Sequence, residues 1–233
     1  MKKEKIKDNT IIICLIIIIC LLLLLISLVL IKGKVKYKYY DDDLISVNNS
    51  TNFKVQTNIL DNNTLILLLT SNNDKTSNIN VDVDFANEKG KKIDTQTVNG
   101  QVYAKNSSIF VFQVPNLKKD EYAGKIKINI KKDGEYKNEI DISKIKCTIN
   151  DKVDGENVLS VNAKCTNNDE PISYLGGDFV VFKGNDIVGV SSFSQENIQK
   201  NEMFEATSTF VSTDGTEKLD YDNAKVFITY IQK

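Results

Sequence analysis

The cysteine side chains are the groups in this sequence best suited to covalent chemistry. Cys14 and Cys20 lie inside a long apolar run, where a thiol behaves as a small apolar side chain, and both follow isoleucine rather than the small residue of a lipobox. Cys147 and Cys165 lie in segments where apolar and polar residues alternate. If these segments are neighbouring strands, both sulfurs face one apolar side, and they can bond if their Cα atoms lie within about 7 Å. Two alternatives stay open, a disulfide in an oxidising compartment or two buried free thiols.

Several residue types that carry out enzyme chemistry are missing. The chain of 233 residues has no histidine and no tryptophan, and all 30 basic residues are lysine. Histidine is the commonest general base and metal ligand, and arginine is the usual bidentate anion clamp. Cys147 and Cys165 alone cannot complete a four-ligand zinc site, and the adjacent carboxylates Asp41–Asp43 lack the spacing of a calcium loop. We therefore expect no metal, no cofactor and no enzyme activity.

The N-terminal region contains an apolar run long enough to cross a membrane. Residues 11–31 include Ser27 as their only polar member, and as a helix they would extend roughly 31 Å, the thickness of the bilayer core. A cleavable signal peptide has a shorter apolar core, of about 7 to 15 residues, and ends in small residues that are absent here. The sequence thus predicts an uncleaved transmembrane helix at 11–31 after a cytoplasmic tail at 1–10.

Lysines flank this run on both sides, so the positive-inside rule does not decide its orientation. The first 38 residues hold eight lysines, which leaves 22 lysines against 29 acidic residues in the rest. Because large C-terminal regions translocate largely regardless of charge, we expect a cytoplasmic N-terminus and an extracytoplasmic C-terminal region. A linker at 32–44 would lie at the outer headgroups. Its predicted membrane-interface residues are Lys32, Lys34, Lys36, Tyr37, Lys38, Tyr39 and Tyr40.

An internal repeat organises the rest of the chain. The sequence Ser71–Asp74 (SNND) recurs as Thr166–Asp169 (TNND), and Phe85 with Gly90 recurs 94 residues later as Phe179 with Gly184. The repeat predicts two domains, at 45–135 and 138–233, with a boundary in the polar stretch that contains the turn signal Asp133-Gly134. Each is long enough for its own core, so we expect them to unfold separately or nearly so.

Both copies show the two-residue period of half-buried strands. Apolar residues alternate with polar ones at 79–85, 126–130, 145–149 and 159–165, and no amphipathic helix follows the apolar run. Short antiparallel strands with one wet face must bury their apolar faces on each other. The sequence therefore predicts an all-β fold of two tandem immunoglobulin-like β-sandwiches.

A family resemblance fits this pattern. A strand that ends in Asn-Asn-Asp, followed by an alternating strand that runs into Phe and a Gly turn, resembles the small immunoglobulin-like domains of the FxLYD kind. The corresponding segments are Phe85–Gly90 and Phe179–Gly184. Such domains occur in membrane-anchored envelope proteins of low-GC Gram-positive bacteria, and the resemblance implies no catalytic residues.

The expected function is non-enzymatic. We expect a single-pass membrane protein that acts as a binding or scaffolding module in the cell envelope. Its expected partners are the lipid bilayer and another envelope protein or a cell-wall component, with no nucleic acid. A structural spacer or an accessory subunit of an envelope transport or cell-wall complex is the alternative. Loop ends and edge strands are the usual recognition surfaces of such folds.

Overall fold

The computed structural model describes residues 44–60, 63–87, 89–115, 124–135, 141–154, 158–211 and 219–233. These residues belong to one compact unit. The predicted transmembrane helix at 11–31, its flanking tail and linker, and the seven membrane-interface residues lie outside the described residues, except for Leu44 of the linker. Within the described ranges, no helix combines the length and the apolar character needed to cross a bilayer.

The predicted all-β class is confirmed. The described strands are β1 (Ile45–Asn49), β2 (Lys54–Leu60), β3 (Thr64–Thr70), β4 (Ser77–Ala86), β5 (Lys92–Val102), β6 (Ser107–Gln113), β7 (Lys125–Glu135), β8 (Ile145–Asp154), β9 (Val158–Asn167), β10 (Ile172–Lys183), β11 (Asp186–Ile198), β12 (Met203–Val211) and β13 (Asn223–Gln232). A 3-10 turn, Ile142–Lys144, precedes β8.

The strands form four sheets that stack in layers. Their strand orders are β1-β7-β4-β5, β2-β3-β6, β11-β10-β13 and β12-β9-β8. We call the first two the N-terminal half and the last two the C-terminal half. One buried cluster fills the space between the sheets of the N-terminal half, and a second fills the C-terminal half. Each half is therefore a β-sandwich with its own core.

The segments with alternating apolar and polar residues form strands with one buried face. On β4 every second side chain is buried, from Ile79 to Phe85, while the residues between them are half exposed. On β9 the residues Leu159 to Cys165 repeat this pattern. A strand with one face on a core and one face towards solvent follows from this period.

A third buried cluster joins the two halves. It contains Ile66 and Leu68 of β3, Ile109 of β6, and Val180 and Phe182 of β10 together with Ile187 of β11. These side chains lie on the outer faces of the sheets β2-β3-β6 and β11-β10-β13, because Leu65, Leu67, Phe179 and Val181 take the inner faces. The two sandwiches are thus packed face to face.

The structure corrects one feature of the predicted boundary. Asp133 and Gly134 do not form a turn between the halves; they lie in β7, which continues to Glu135 and pairs with Ser77 of β4. The register shifts between Ser77 and Ile79, and Gly134 has φ of 119°, which glycine adopts readily. The turn signal thus marks an irregularity within a strand.

The ladder also departs from a purely antiparallel pattern. β1 pairs with β7 in parallel, with Ile45 opposite Ile126 and Asn49 opposite Ile130. The other strand pairs in the described residues are antiparallel. A parallel pair needs a long crossover, and the chain between β1 and β7 supplies it by building the rest of the N-terminal sandwich.

Candidate functional site

A loop of the N-terminal half inserts into the core of the C-terminal half. Tyr103, which follows β5, is 1% exposed and belongs to the core cluster of the C-terminal sandwich. Its hydroxyl oxygen accepts a hydrogen bond from the backbone N–H of Ile231 on β13 at 3.1 Å. The side chain therefore covers one end of the outer edge of β13.

The SNND segment holds this loop in place. The N–H of Ser71 donates to the carbonyl oxygen of Asn106 at 2.8 Å, and the N–H of Lys105 donates to the carbonyl oxygen of Asn73 at 3.0 Å. Lys105 has a positive φ of 51°, and its ammonium lies 2.7 Å from the carboxylate of Asp74. The hydrogen bond from Lys105 lowers the pKa of Asp74. A landmark of the repeat thus positions the loop.

In the C-terminal half, the TNND segment also holds a loop in place through hydrogen bonds. Asn167 is fully buried, and its side-chain amide donates to the carbonyl oxygens of Glu170 at 3.0 Å and Gln199 at 3.2 Å. The N–H of Asp169 donates to the Asn167 side-chain oxygen. Because its amide is satisfied by the chain itself, the motif serves loop geometry rather than ligand binding.

On the other side of the Tyr103 loop lie the 3-10 turn and β8. The carboxylate of Asp141 caps the turn by accepting from the N–H of Ser143 at 3.1 Å. On β8, Cys147 lies directly opposite Cys165 of β9, and the two are joined by a disulfide with a Cα–Cα distance of 4.0 Å. Cys165 is fully buried in the core, while Cys147 is only half-buried beside it. The disulfide ties the edge strand β8 to the middle of its sheet.

Between the Tyr103 loop, β8 and β13 lies a groove of about 530 Å³, which we call the edge groove. Its apolar floor is formed by Ile145, Val226 and Ile228. Its polar rim is formed by Lys105, Asn106, Ser143, Lys146 and Thr148. Cys147 also lines it, so the disulfide lies beside the groove. An apolar floor with a rim of amide, hydroxyl and ammonium groups suits the binding of an apolar segment with a polar backbone.

Two large aromatic side chains of the C-terminal half lie outside the groove. Tyr174 and Phe193 belong to β10 and β11. The ring of Phe193 packs on Phe179 at a centroid distance of 5.3 Å, and Tyr174 meets Tyr230 edge-on at 5.8 Å. In the part of the chain that the structure describes, no three His, Cys, Asp or Glu side chains form a group that could hold a metal ion.

No pattern in the sequence marks the residues that form the groove. Lys105, Asn106, Val226 and Ile228 lie far apart in the chain and have no chemically unusual type. The segment Ser71–Asp74 is a repeat landmark in the sequence, and a turn of this composition can anchor the loop that packs against it. The edge of β13 that no described strand covers differs from the covered edge of β7 only in the three-dimensional fold.

Comparisons with known proteins do not assign this chain to a family. No protein family and no curated protein match the sequence. Among solved structures, the crystal structure of red sea bream transglutaminase is similar to 76% of this chain, at 6% sequence identity and a TM-score of 0.23. The matched part spans 31% of that protein. A similarity at this level carries no argument about fold or activity.

Proposed function

We propose that this protein is a single-pass membrane protein that displays two immunoglobulin-like sandwiches of the FxLYD kind outside the cell, where they bind another envelope protein or a cell-wall component without catalysing a reaction. The observation that carries the proposal is the edge groove, with its apolar floor and its polar rim. The lysine-flanked apolar run at 11–31 supplies the membrane anchor.

The disulfide supports the extracytoplasmic location. Disulfides persist in oxidising compartments and are rare in the cytosol, where thiols are kept reduced. The Cys147–Cys165 bond lies beside the groove and fixes β8, which carries part of the rim. A binding surface that depends on this bond is best suited to the outside of the membrane.

The layered packing also suits a displayed module. The third buried cluster joins the two sandwiches, so the groove is held by elements of both halves. Of its lining residues, Lys105 and Asn106 come from the N-terminal half, while Val226 and Ile228 come from the C-terminal half. A preorganised surface binds with less loss of conformational entropy than a flexible one. The alternative of a pure spacer would not require such a groove.

Two measurements test the proposal. Protease added to intact cells stripped of their wall should degrade the region after residue 44, and a variant lacking residues 1–31 should be protected as the matched control. A photo-crosslinking residue at Thr148, on the groove rim, should capture an envelope component in the native membrane, and one at exposed Thr209 of β12 should not. A protected C-terminal region in accessible cells, or equal capture at both positions, would contradict the proposal.

A further inference from the structure

The two halves differ at one edge. One sheet of each half has the same strand order, β7-β4-β5 in the N-terminal half and β13-β10-β11 in the C-terminal half. In each of them, the last two strands of this order form a hairpin. In the N-terminal half, β1 adds to the outer edge of β7. Among the described residues, no strand pairs with the outer edge of β13. In the described part of the chain, the C-terminal sheet therefore has one strand fewer than its N-terminal counterpart.

The register shows which backbone groups face this edge. Ile126 lies opposite Phe85, and Val226 lies opposite Phe179, so Ile126 and Val226 occupy matching positions. The carbonyl oxygen of Ile126 accepts from the hydroxyl of Ser46 at 3.4 Å, so this residue directs its backbone towards β1. Backbone groups of a strand alternate between its two edges. Val226 and Ile228 therefore direct their N–H and C=O groups outward.

The same two residues line the edge groove. Their side chains face the core of the C-terminal half, as Ile228 is 6% exposed and Val226 packs against the cluster. Beyond them, the Tyr103 hydroxyl accepts the hydrogen bond of Ile231. The groove thus presents a short stretch of strand edge, bounded at one end by a tyrosine and along its side by the polar rim.

We propose that the edge groove binds an extended peptide segment of a partner protein, which adds to β13 as a parallel strand in the way that β1 adds to β7. The segment has about five residues, the length of β1. It carries an apolar side chain opposite Val226, because Ile45 lies opposite Ile126 and packs against the N-terminal core. Strand addition to an exposed edge is a common mode of peptide recognition.

The contacts that β1 makes with β7 also limit which residues the bound peptide segment can carry. The N–H of Ser50, just after β1, donates to the carbonyl oxygen of Ile130 at 3.2 Å. By the alternation of the strand, Asn48 also directs its N–H towards β7, so proline at the matching position would remove a ladder donor. Exposed Lys146 on the rim favours a carboxylate near the edge of the bound segment. This inference rests on the proposed function, because it names the mode by which the module binds.

The test uses a fluorescent synthetic peptide with the sequence of Leu44–Ser50 and the full-length protein in lipid nanodiscs. We expect the peptide to bind, and we expect bound peptide to slow hydrogen exchange of the segment 223–228. The same peptide with Asn48→Pro should not bind. In the protein, Thr148→Trp fills the groove rim and should weaken binding by roughly tenfold or more, while Thr209→Trp on β12 should leave it unchanged.

Three results would overturn the inference. They are no binding of the template peptide, equal binding of the proline peptide, and an edge occupied by a second copy of this chain, seen as a dimer whose exchange protection at 223–228 rises with protein concentration. None of these results changes the protease accessibility of the intact cells. Failure of the inference and failure of the proposed function are therefore distinguishable.

Discussion

The outer edges of β7 and β13 form the most informative contrast in this molecule. Both strands lie at the same place in their sandwiches, yet β7 is covered by β1, and no described strand covers β13. An uncovered edge invites pairing with another chain unless it is protected. Tyr103 and the rim around the groove protect part of β13 and leave Val226 and Ile228 accessible from the groove. In the proposed mode of binding, the same edge therefore serves structure in the N-terminal half and recognition in the C-terminal half.

The largest expected effect comes from the side chain that links the halves. Tyr103→Ala empties a buried position in the C-terminal core and should lower the free energy of unfolding by about 3 to 5 kcal/mol. Tyr103→Phe keeps the ring and removes the acceptor of the Ile231 N–H, which should cost about 1 to 3 kcal/mol. Urea unfolding of the full-length protein in detergent measures both values.

The control for this prediction is Tyr230→Ala. Tyr230 is 47% exposed and its loss should cost less than the loss of Tyr103. An Ala variant at 103 as stable as the wild type would show that the N-terminal half does not support the core of the C-terminal half.

Since Tyr103 and the third cluster join the halves, we expect a single unfolding transition rather than the separate transitions suggested by the repeat.

The disulfide is the second difference between the halves. It belongs to the C-terminal half alone in the described part of the chain and closes a loop with a sequence separation of 18 residues. Cys147→Ala together with Cys165→Ala should reduce the free energy of unfolding by about 3 kcal/mol. Reductant should lower the melting temperature of the wild type and leave that of the double variant unchanged. Equal melting of the wild type with and without reductant would contradict the bond.

Neighbouring glycines of β10 give a smaller and sharper test. A Cβ on Gly177 would lie 2.5 Å from the Phe193 ring and 2.9 Å from the carbonyl oxygen of Phe227, so the backbone itself would have to move. A Cβ on Gly176 would meet its nearest atom at 3.5 Å, an ordinary contact. Gly177→Ala should cost about 1 to 3 kcal/mol by overpacking, while Gly176→Ala should be tolerated. Similar stabilities of the two variants in thermal unfolding would contradict the close approach of Gly177 to Phe193 and Phe227.

The smallest expected effect concerns a buried carboxylate. Asp178 of β10 is 6% exposed and accepts a hydrogen bond from the Ser192 hydroxyl at 2.6 Å. Burial raises the pKa of Asp178 above its usual value of 3.8, although the hydrogen bond from Ser192 opposes the shift. The folded state therefore binds this proton more tightly than the unfolded state. Its contribution to stability is present below about pH 3.8 and is lost as the pH rises through the raised pKa.

The measurement is the free energy of unfolding as a function of pH. Asp178→Asn should lose less stability than the wild type when the pH rises from 3.5 to 7. Asp74→Asn is the control of opposite sign, because Lys105 lowers the pKa of Asp74 and the pair stabilises the folded state at neutral pH. Parallel pH profiles for the wild type and Asp178→Asn would contradict the raised pKa.

The sequence predicted the parts of the fold that follow a single period. Residues 79–85 and 159–165 alternate, and they form β4 and β9 with one buried face. It did not predict the face-to-face packing, because that contact comes from continuous apolar runs. β3 is buried on both faces, as is the end of β10, and such runs are typical of strands between two layers. These runs could have indicated the third cluster.

The candidate site was harder to predict for a physical reason. Cys147 and Cys165 were recognised because their types and alternation suggest neighbouring strands, and they form the disulfide. The groove depends instead on an edge of β13 that no described strand covers, and on Tyr103, which reaches from one half into the other. Tertiary contacts between distant segments leave no local pattern in a single sequence.

Hydrogen exchange of the free full-length protein tests the central claim most directly. Because β1 covers β7, the amides of Ile126 and Ile128 should exchange slowly, on the timescale of global unfolding. The matching amides of Val226 and Ile228 should exchange much faster, while those of Lys225 and Phe227, which face β10, should stay protected. Equal protection of Val226, Ile228 and their counterparts on β7 would show that the edge of β13 is already paired, and would contradict the account.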